Sequence, residues 1–408
     1  MSIQELQVAG TTTPEKATSS PAETKRRGHQ YEADVVRTVT FGGVILDHCV
    51  AGTTADESVA ANGVQTVLHY TRNAFFALTG FVLVFQYRDR ELKATTFWRR
   101  RFKLIGLPYV TWTVIYFGLS IYAPPWIPTG FFHFGEAFGS IDAALSSLKA
   151  LAIDLLSGDG WYHLYFVFVS MQIYILFPLL LKVLRWTWGY HRYLLAASFA
   201  FHLVLMHYMA GLRPQIANGG ALGFLWDHLP RTVFPYQFYI LGGAIAAMHL
   251  EGFRAWMVKR RNWVFAVAGA VSLVAIGYYL NLVEAGMYPE KAANVFRPFA
   301  TFLFVSVILS LYALGTLWSE RRTPGSFLDK FLAKASDRSF GIFLVHAFSL
   351  QMVAPIITMY RDIVYPPIVS TVTFLVVVVM TVAIVEVLRR SPLSMITTGR
   401  ERKVAKAK

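Results

Sequence analysis

Ten apolar runs of roughly 17 to 23 residues follow one another along this chain, at 35–53, 66–87, 104–123, 161–181, 193–210, 234–250, 263–281, 298–318, 339–358 and 366–388. About 20 apolar residues in a helix cross the ~30 Å hydrocarbon core of a bilayer. The runs therefore predict an all-α polytopic membrane protein with about ten transmembrane helices. The first run is broken by Arg37, Asp47 and His48, and the fifth by His202 and His207. Composition agrees: 15% of residues are charged, against about 25% in a soluble domain. Lipid must be the solvent for much of the apolar surface.

The polar breaks test this count. Of the 38 Lys and Arg, 31 lie in or at the mouths of the segments that a ten-helix, N-inside threading assigns to the cytoplasm. These are the N-terminal segment, the breaks near 88–103, 182–192, 251–262 and 319–338, and the C-terminal segment. Lys and Arg concentrate on the cytoplasmic side of membrane proteins, so both termini are expected there, in the cell's inner membrane. The same bias accounts for the net charge of +14 and removes the reason to invoke nucleic acid.

Residues 1–34 are polar and poor in aromatics, which predicts a disordered cytoplasmic tail with no cleaved leader. A membrane domain over 35–390 and a basic cytoplasmic tail over 391–408 follow. Cys49 is the sole cysteine, so the chain can form no internal disulfide. The longest break on the outer side, 124–160, opens on Trp126, Phe131 and Phe132, which suit a membrane interface. Residues 141–156 read either as an amphipathic surface helix or as an ordinary loop.

An ionisable group within a span is costly unless paired or hydrated, which makes each one a functional candidate. Arg37 and His48 are 11 residues apart. On a helix that is about 20° beyond three turns, so both share a face, about 16 Å apart along the axis. Asp47 is turned about 100° from His48. Arg100, Arg101 and Lys103 stand at the mouth of the third run, before Pro108-Tyr109. Arginine grips phosphate with a planar fork and lysine as a point charge, although such a run also serves as a plain positive-inside anchor. Arg72 opens the second span, His163 the fourth, and His346 lies inside the ninth. Glu386 is expected to pair with Arg389 or Arg390. No arrangement of His with acids or Cys has metal-ligand spacing, so no metal is expected.

At these positions the sequence resembles the acyltransferase-3 family of integral-membrane acyltransferases, over about 35 to 390. The first-helix Arg37 and His48 match its arginine–histidine pair. Asn73-Ala74-Phe75-Phe76-Ala77-Leu78-Thr79-Gly80 is similar to its Phe-Phe-x-x-Ser-Gly stretch, and Trp161 to Phe166 to its His-Leu-Trp-Phe stretch. Ser339 to His346 resembles its ninth-helix pattern, with Phe at both aromatic positions. The basic mouth departs from the family's Arg-x-x-Arg. It reads more like the branch near the intercellular-adhesin polysaccharide modifying proteins.

The resemblance implies transfer of an acyl group, acetyl before others, from cytoplasmic acyl-CoA to a hydroxyl of an extracytoplasmic or lipid-linked glycan. His48 is then base or acyl relay, assisted by Arg37. Arg100, Arg101 and Lys103 hold the donor's phosphates, and Arg72, His163 and His346 face the acceptor. Membrane lipid, the glycan or glycolipid, and a second copy of the chain are the partners to consider. The rival is a transporter or flippase of a lipid-linked glycan, which should show inverted repeats or broken helices in matching positions. The sequence shows neither clearly.

Overall fold

The computed structural model describes residues 29–122, 134–361 and 363–402. The compact body starts at Tyr31; of the unit before it, Met1–Gln30, only His29 and Gln30 are described. Trp126, Phe131 and Phe132 lie outside the described residues.

The described residues form helices and no strand. In order they are α1 (Tyr31–Thr53), α2 (Val59–Leu68), α3 (Tyr70–Tyr87), α4 (Ala94–Tyr122), α5 (Phe134–Phe138), α6 (Ile141–Ser157), α7 (Tyr165–Trp186) and α8 (His191–Met209). Then come α9 (Gly220–Asp227), α10 (Gln237–Met248), α11 (Leu250–Glu284), α12 (Pro289–Ala292), α13 (Pro298–Arg321), α14 (Phe327–Tyr360), α15 (Pro366–Arg390) and α16 (Ser394–Thr398). Eight spans among the described residues are long and apolar enough to cross a membrane, with α2 and α3 together making one of them. The chain is a multi-pass membrane protein. The two other expected runs, 193–210 and 234–250, are the helices α8 and α10.

Several helices overrun the apolar stretch that predicts them. Helix α1 starts at Tyr31, so 31–34 belong to the body, where Glu32 and Asp34 are buried. Helices α4, α11 and α14 begin well before their apolar cores, at Ala94, Leu250 and Phe327, and so hold much of the basic sequence between spans as helix. Local chemistry marks the ends. Ser58, Ser140 and Ser326 each accept a hydrogen bond from a backbone N–H three residues on, satisfying a donor the first turn leaves free. Helix α6 covers the 141–156 stretch; it has no buried residue and exposes Ile141, Leu145, Leu148, Ile153 and Leu156.

Helix α1 is the central post, packed against α2, α3, α13, α14 and α15. Helix α10 lies flush on α3, because a methyl group at Gly243 would collide with the Ala77 carbonyl, and one at Gly80 with that of Ile240. The C-terminal stretch is not a free tail as far as Arg402. Trp112 Nε1 donates to the Thr397 carbonyl at 2.8 Å, and Gly399 turns through φ +64° against Leu104. That turn places Arg400 beside the N-terminal end of α1, close enough to act on the charge of Arg37.

Candidate functional site

Arg37 and His48 lie towards opposite ends of α1, as the helical spacing requires. Around His48 three imidazoles from three parts of the chain come together. The His48 ring stacks on His346 of α14, with centroids 5.3 Å apart and planes 20° from parallel. His163, in the turn before α7, meets His346 edge-on at 5.0 Å. Tyr162 makes the second ring contact of His48, at 4.7 Å. His163 and His346 are buried, whereas His48 keeps partial exposure.

The turn carrying His346 is held by an unusual device. Tyr116 of α4 donates its hydroxyl to the Leu344 carbonyl at 2.7 Å and accepts from the Phe348 N–H at 3.0 Å. Those are the two groups an undisturbed helix would pair with each other, and a side chain inserted there bends the helix. Nδ1 of His346 lies 2.6 Å from the Phe343 carbonyl. A carbonyl only accepts, so Nδ1 carries the proton and the neutral ring's Nε2 is a bare acceptor. Nε2 has no partner among the described residues. The Leu344 backbone comes near His163, but neither of its ring nitrogens makes a hydrogen bond.

His48 and His163 line a cavity of about 90 Å³, with Asp47, His69 and Arg72 on its other sides. Asp47 does not pair with its neighbour in sequence: its Oδ1 lies 3.7 Å from Nε2 of His69, at the break between α2 and α3. Arg72 sits over the rings of Tyr236 and Phe296, 5.2 and 5.0 Å from their centroids, in the range of cation–π attraction. Arg72, His163 and His346 thus converge on the neighbourhood of His48.

At the other end of α1, Arg37 donates to Ser336 Oγ at 2.8 Å, and Ser336 donates to Asp34 at 2.6 Å. The basic run at the mouth of α4 is divided by its helix. Arg101 turns inward, donating to Gln86 at 2.6 Å and lying over Phe97 and Tyr174. Arg100 and Lys103 face outward and are exposed. Tyr174 of α7 lies within electrostatic reach of both Arg101 and Arg37, so these two cations, rather than the whole run, share one inward-facing mouth.

Other polar residues are absorbed by structure. Glu386 pairs with Arg338 and with Lys334, not with Arg389 or Arg390 as the sequence suggests. Arg389 pairs instead with Asp337 at 3.0 Å; α14 packs against α15 and outcompetes sequence neighbours. His202 bonds Thr301, His228 its own helix end, and His191 meets His249 at 2.8 Å. Among the described residues no three His, Cys, Asp or Glu side chains gather as metal ligands. Tyr116, Tyr162, His69 and Tyr174 escape sequence reasoning. Tyr162 and His69 had a signal, since one stands beside His163 and the other three residues before Arg72 in the second span.

A family model described as an acyltransferase domain matches residues 30–390, most of the chain. No curated protein and no solved structure matches it.

Proposed function

The chain belongs to the acyltransferase-3 family of membrane enzymes that transfer acyl groups, and from that premise we propose that it moves a short acyl group, acetyl first, from acyl-CoA to a hydroxyl of an extracytoplasmic or lipid-linked glycan. The observation that carries the reading is the meeting of His48, His346 and His163 beside a cavity that Asp47, His69 and Arg72 also line. Neutral imidazoles accept and return protons near physiological pH, and His48 alone of the three is accessible.

The donor enters at the mouth formed by Arg37 and Arg101, on the cytoplasmic side of an inner membrane. Their cationic faces, beside Tyr174, suit the phosphates of coenzyme A, a co-substrate here. The thioester then lies along α1 towards His48. His48 takes the proton of the acceptor hydroxyl as its oxygen attacks the thioester carbon. The new C–O bond forms, the C–S bond breaks, and the thiolate leaves with the proton from His48. Tyr162 and His346 flank that ring and fix its orientation, with His163 packed behind His346. The three-histidine cluster fits an acid–base role better than a phosphate-binding one, because phosphate grips are built from Arg and Lys.

The test is release of coenzyme A thiol from acetyl-CoA by the detergent-purified protein, with and without envelope glycan from the cells that make it. Acceptor-stimulated release that disappears in His48→Ala, with the unfolding midpoint unchanged, is the expected result. No release from acetyl-, propionyl- or succinyl-CoA by folded protein would sink the proposal.

A further inference from the structure

The cavity beside His48 holds more polar chemistry than the transfer step uses. Around it, Asp47 Oδ1 and Arg72 Nε are buried without a hydrogen bond among the described residues, and His69 and His163 have a backbone group nearby, at Ala293 and Leu344. Folded proteins leave few buried polar atoms unpaired, and a cluster of them in one place asks for an explanation.

Asp47 and His69 are the informative pair. A tie whose purpose is to lock α1 to α3 would close to hydrogen-bond distance, near 3 Å. Here the two stand 3.7 Å apart, and both border the cavity rather than being sealed between helices. The side chain of Gln65 bonds the carboxyl group of Asp47, yet Oδ1 makes no hydrogen bond of its own. Tyr165 does the same for Arg72, whose Nε stays free. The Ala293 backbone holds His69 in the same way, and all three side chains line the cavity.

We propose that Asp47, His69 and Arg72 form a subsite that recognises the neighbouring hydroxyls of a sugar-ring acceptor and presents one of them to His48. This deepens the acyltransferase reading and rests on it. The carboxylate of Asp47 only accepts hydrogen bonds, the Arg72 guanidinium only donates, and the His69 ring does both. A ring bearing several hydroxyls supplies partners for all three. A simple alcohol or a lipid hydroxyl offers one such group and leaves the other two buried and unmatched, which is strongly disfavoured. Phe75, Phe166 and Tyr162 give the cavity aromatic walls against which the C–H face of a sugar ring packs. Asp47 is a positioning residue here, since the proton passes through His48.

The experiment uses the purified full-length protein, acetyl-CoA and titrated envelope glycan from its own cells. Asp47→Ala is expected to raise the half-saturating glycan concentration about tenfold or more, the usual effect of deleting a hydrogen bond to a charged group. Asp47→Asn is expected to fall between it and the wild type, and His69→Gln to act in the same direction. The KM for acetyl-CoA is expected to move less than about twofold in each, because the donor mouth lies about 16 Å away along α1. Equal shifts in donor and glycan KM, or an unchanged glycan KM, would overturn the subsite. Loss of folding in both Asp47→Ala and His69→Gln would assign the pair to structure and overturn it as well. Wild-type protein that cleaves no acyl-CoA would instead refute the acyltransferase chemistry, so the two failures are distinct.

Discussion

Removing one oxygen atom, by Tyr116→Phe, separates the scaffold of this site from its chemistry. The Tyr116 side chain is fully buried, and its hydroxyl bonds both the Leu344 carbonyl and the Phe348 N–H. Without it, α14 has two options. The two backbone groups stay apart, and each buried unpaired group then costs about 1–3 kcal/mol. Or the turn closes into a regular α-helix, which recovers that energy and moves His346, two residues from each group, off its stack with His48. The first option lowers stability by up to about 4 kcal/mol, allowing for partial relaxation. The second leaves stability close to wild type and costs activity, since His346 packs on His48 and an ångström-scale misplacement of a reacting group lowers rates by about a hundredfold. Unfolding midpoints in mixed micelles and acceptor-dependent thiol release, measured on one preparation, separate the options. A Tyr116→Phe protein with wild-type midpoint and wild-type kcat would refute the argument that this hydroxyl sets the His346 turn.

The division of the basic run gives a direct comparison: Arg101→Ala is expected to raise the KM for acetyl-CoA about tenfold, while Arg100→Ala and Lys103→Ala stay within about twofold, as exposed charges contribute little. Comparable shifts from all three would mean that the helix face does not matter. Arg37→Lys keeps the charge but loses the planar fork, so it is expected to raise the donor KM by several-fold and leave the half-saturating glycan concentration unchanged in the same assay. Gly243→Ala is expected to destabilise the bundle by more than about 2 kcal/mol, read as a lowered unfolding midpoint, since the added methyl meets the Ala77 carbonyl rather than a movable side chain.

Much of the architecture was legible because membrane solvent imposes so simple a code. Apolar runs of spanning length predicted the helices, and the 11-residue spacing put Arg37 and His48 on one face of α1. The code says nothing about where a helix ends outside the hydrocarbon. Helices α4, α11 and α14 therefore continue into sequence that reads as polar break. Partner choice was equally hidden. The sequence turns Asp47 about 100° from His48 but does not mark His69 as its neighbour across helices, and Glu386 passes over Arg389 and Arg390 for Arg338. Tyr116 was invisible for the same reason: a tyrosine in an apolar run carries no mark of the foreign helix its hydroxyl enters. The basic run forms one unit in sequence, but a helix turns successive residues about 100° apart and can aim only part of it inward.

The position of α1 ties these observations together. It touches more of the long helices than a peripheral span could, and it carries a cation at one end and a histidine near the other. Its two ends face different chemistry: Arg37, Arg101 and Arg400 gather at one, while Asp47, His48 and the cluster around His346 meet at the other. A transferase whose donor and acceptor lie on opposite sides of a membrane needs neither to cross whole, provided both reach one point inside the bundle. On the proposed reading, Arg37 at the donor end and His48 at the transfer point, about 16 Å apart along α1, set the scale of that arrangement. It follows that inserting one residue between Arg37 and His48 should be far worse than replacing a lipid-facing residue of α1. The insertion rotates the two groups about 100° out of register, so it separates donor binding from transfer. The expected signature is acetyl-CoA binding retained, by equilibrium dialysis, with glycan-dependent thiol release lost. Retention of both would mean that the two ends of α1 work independently, and the shared face would then have no role in transfer.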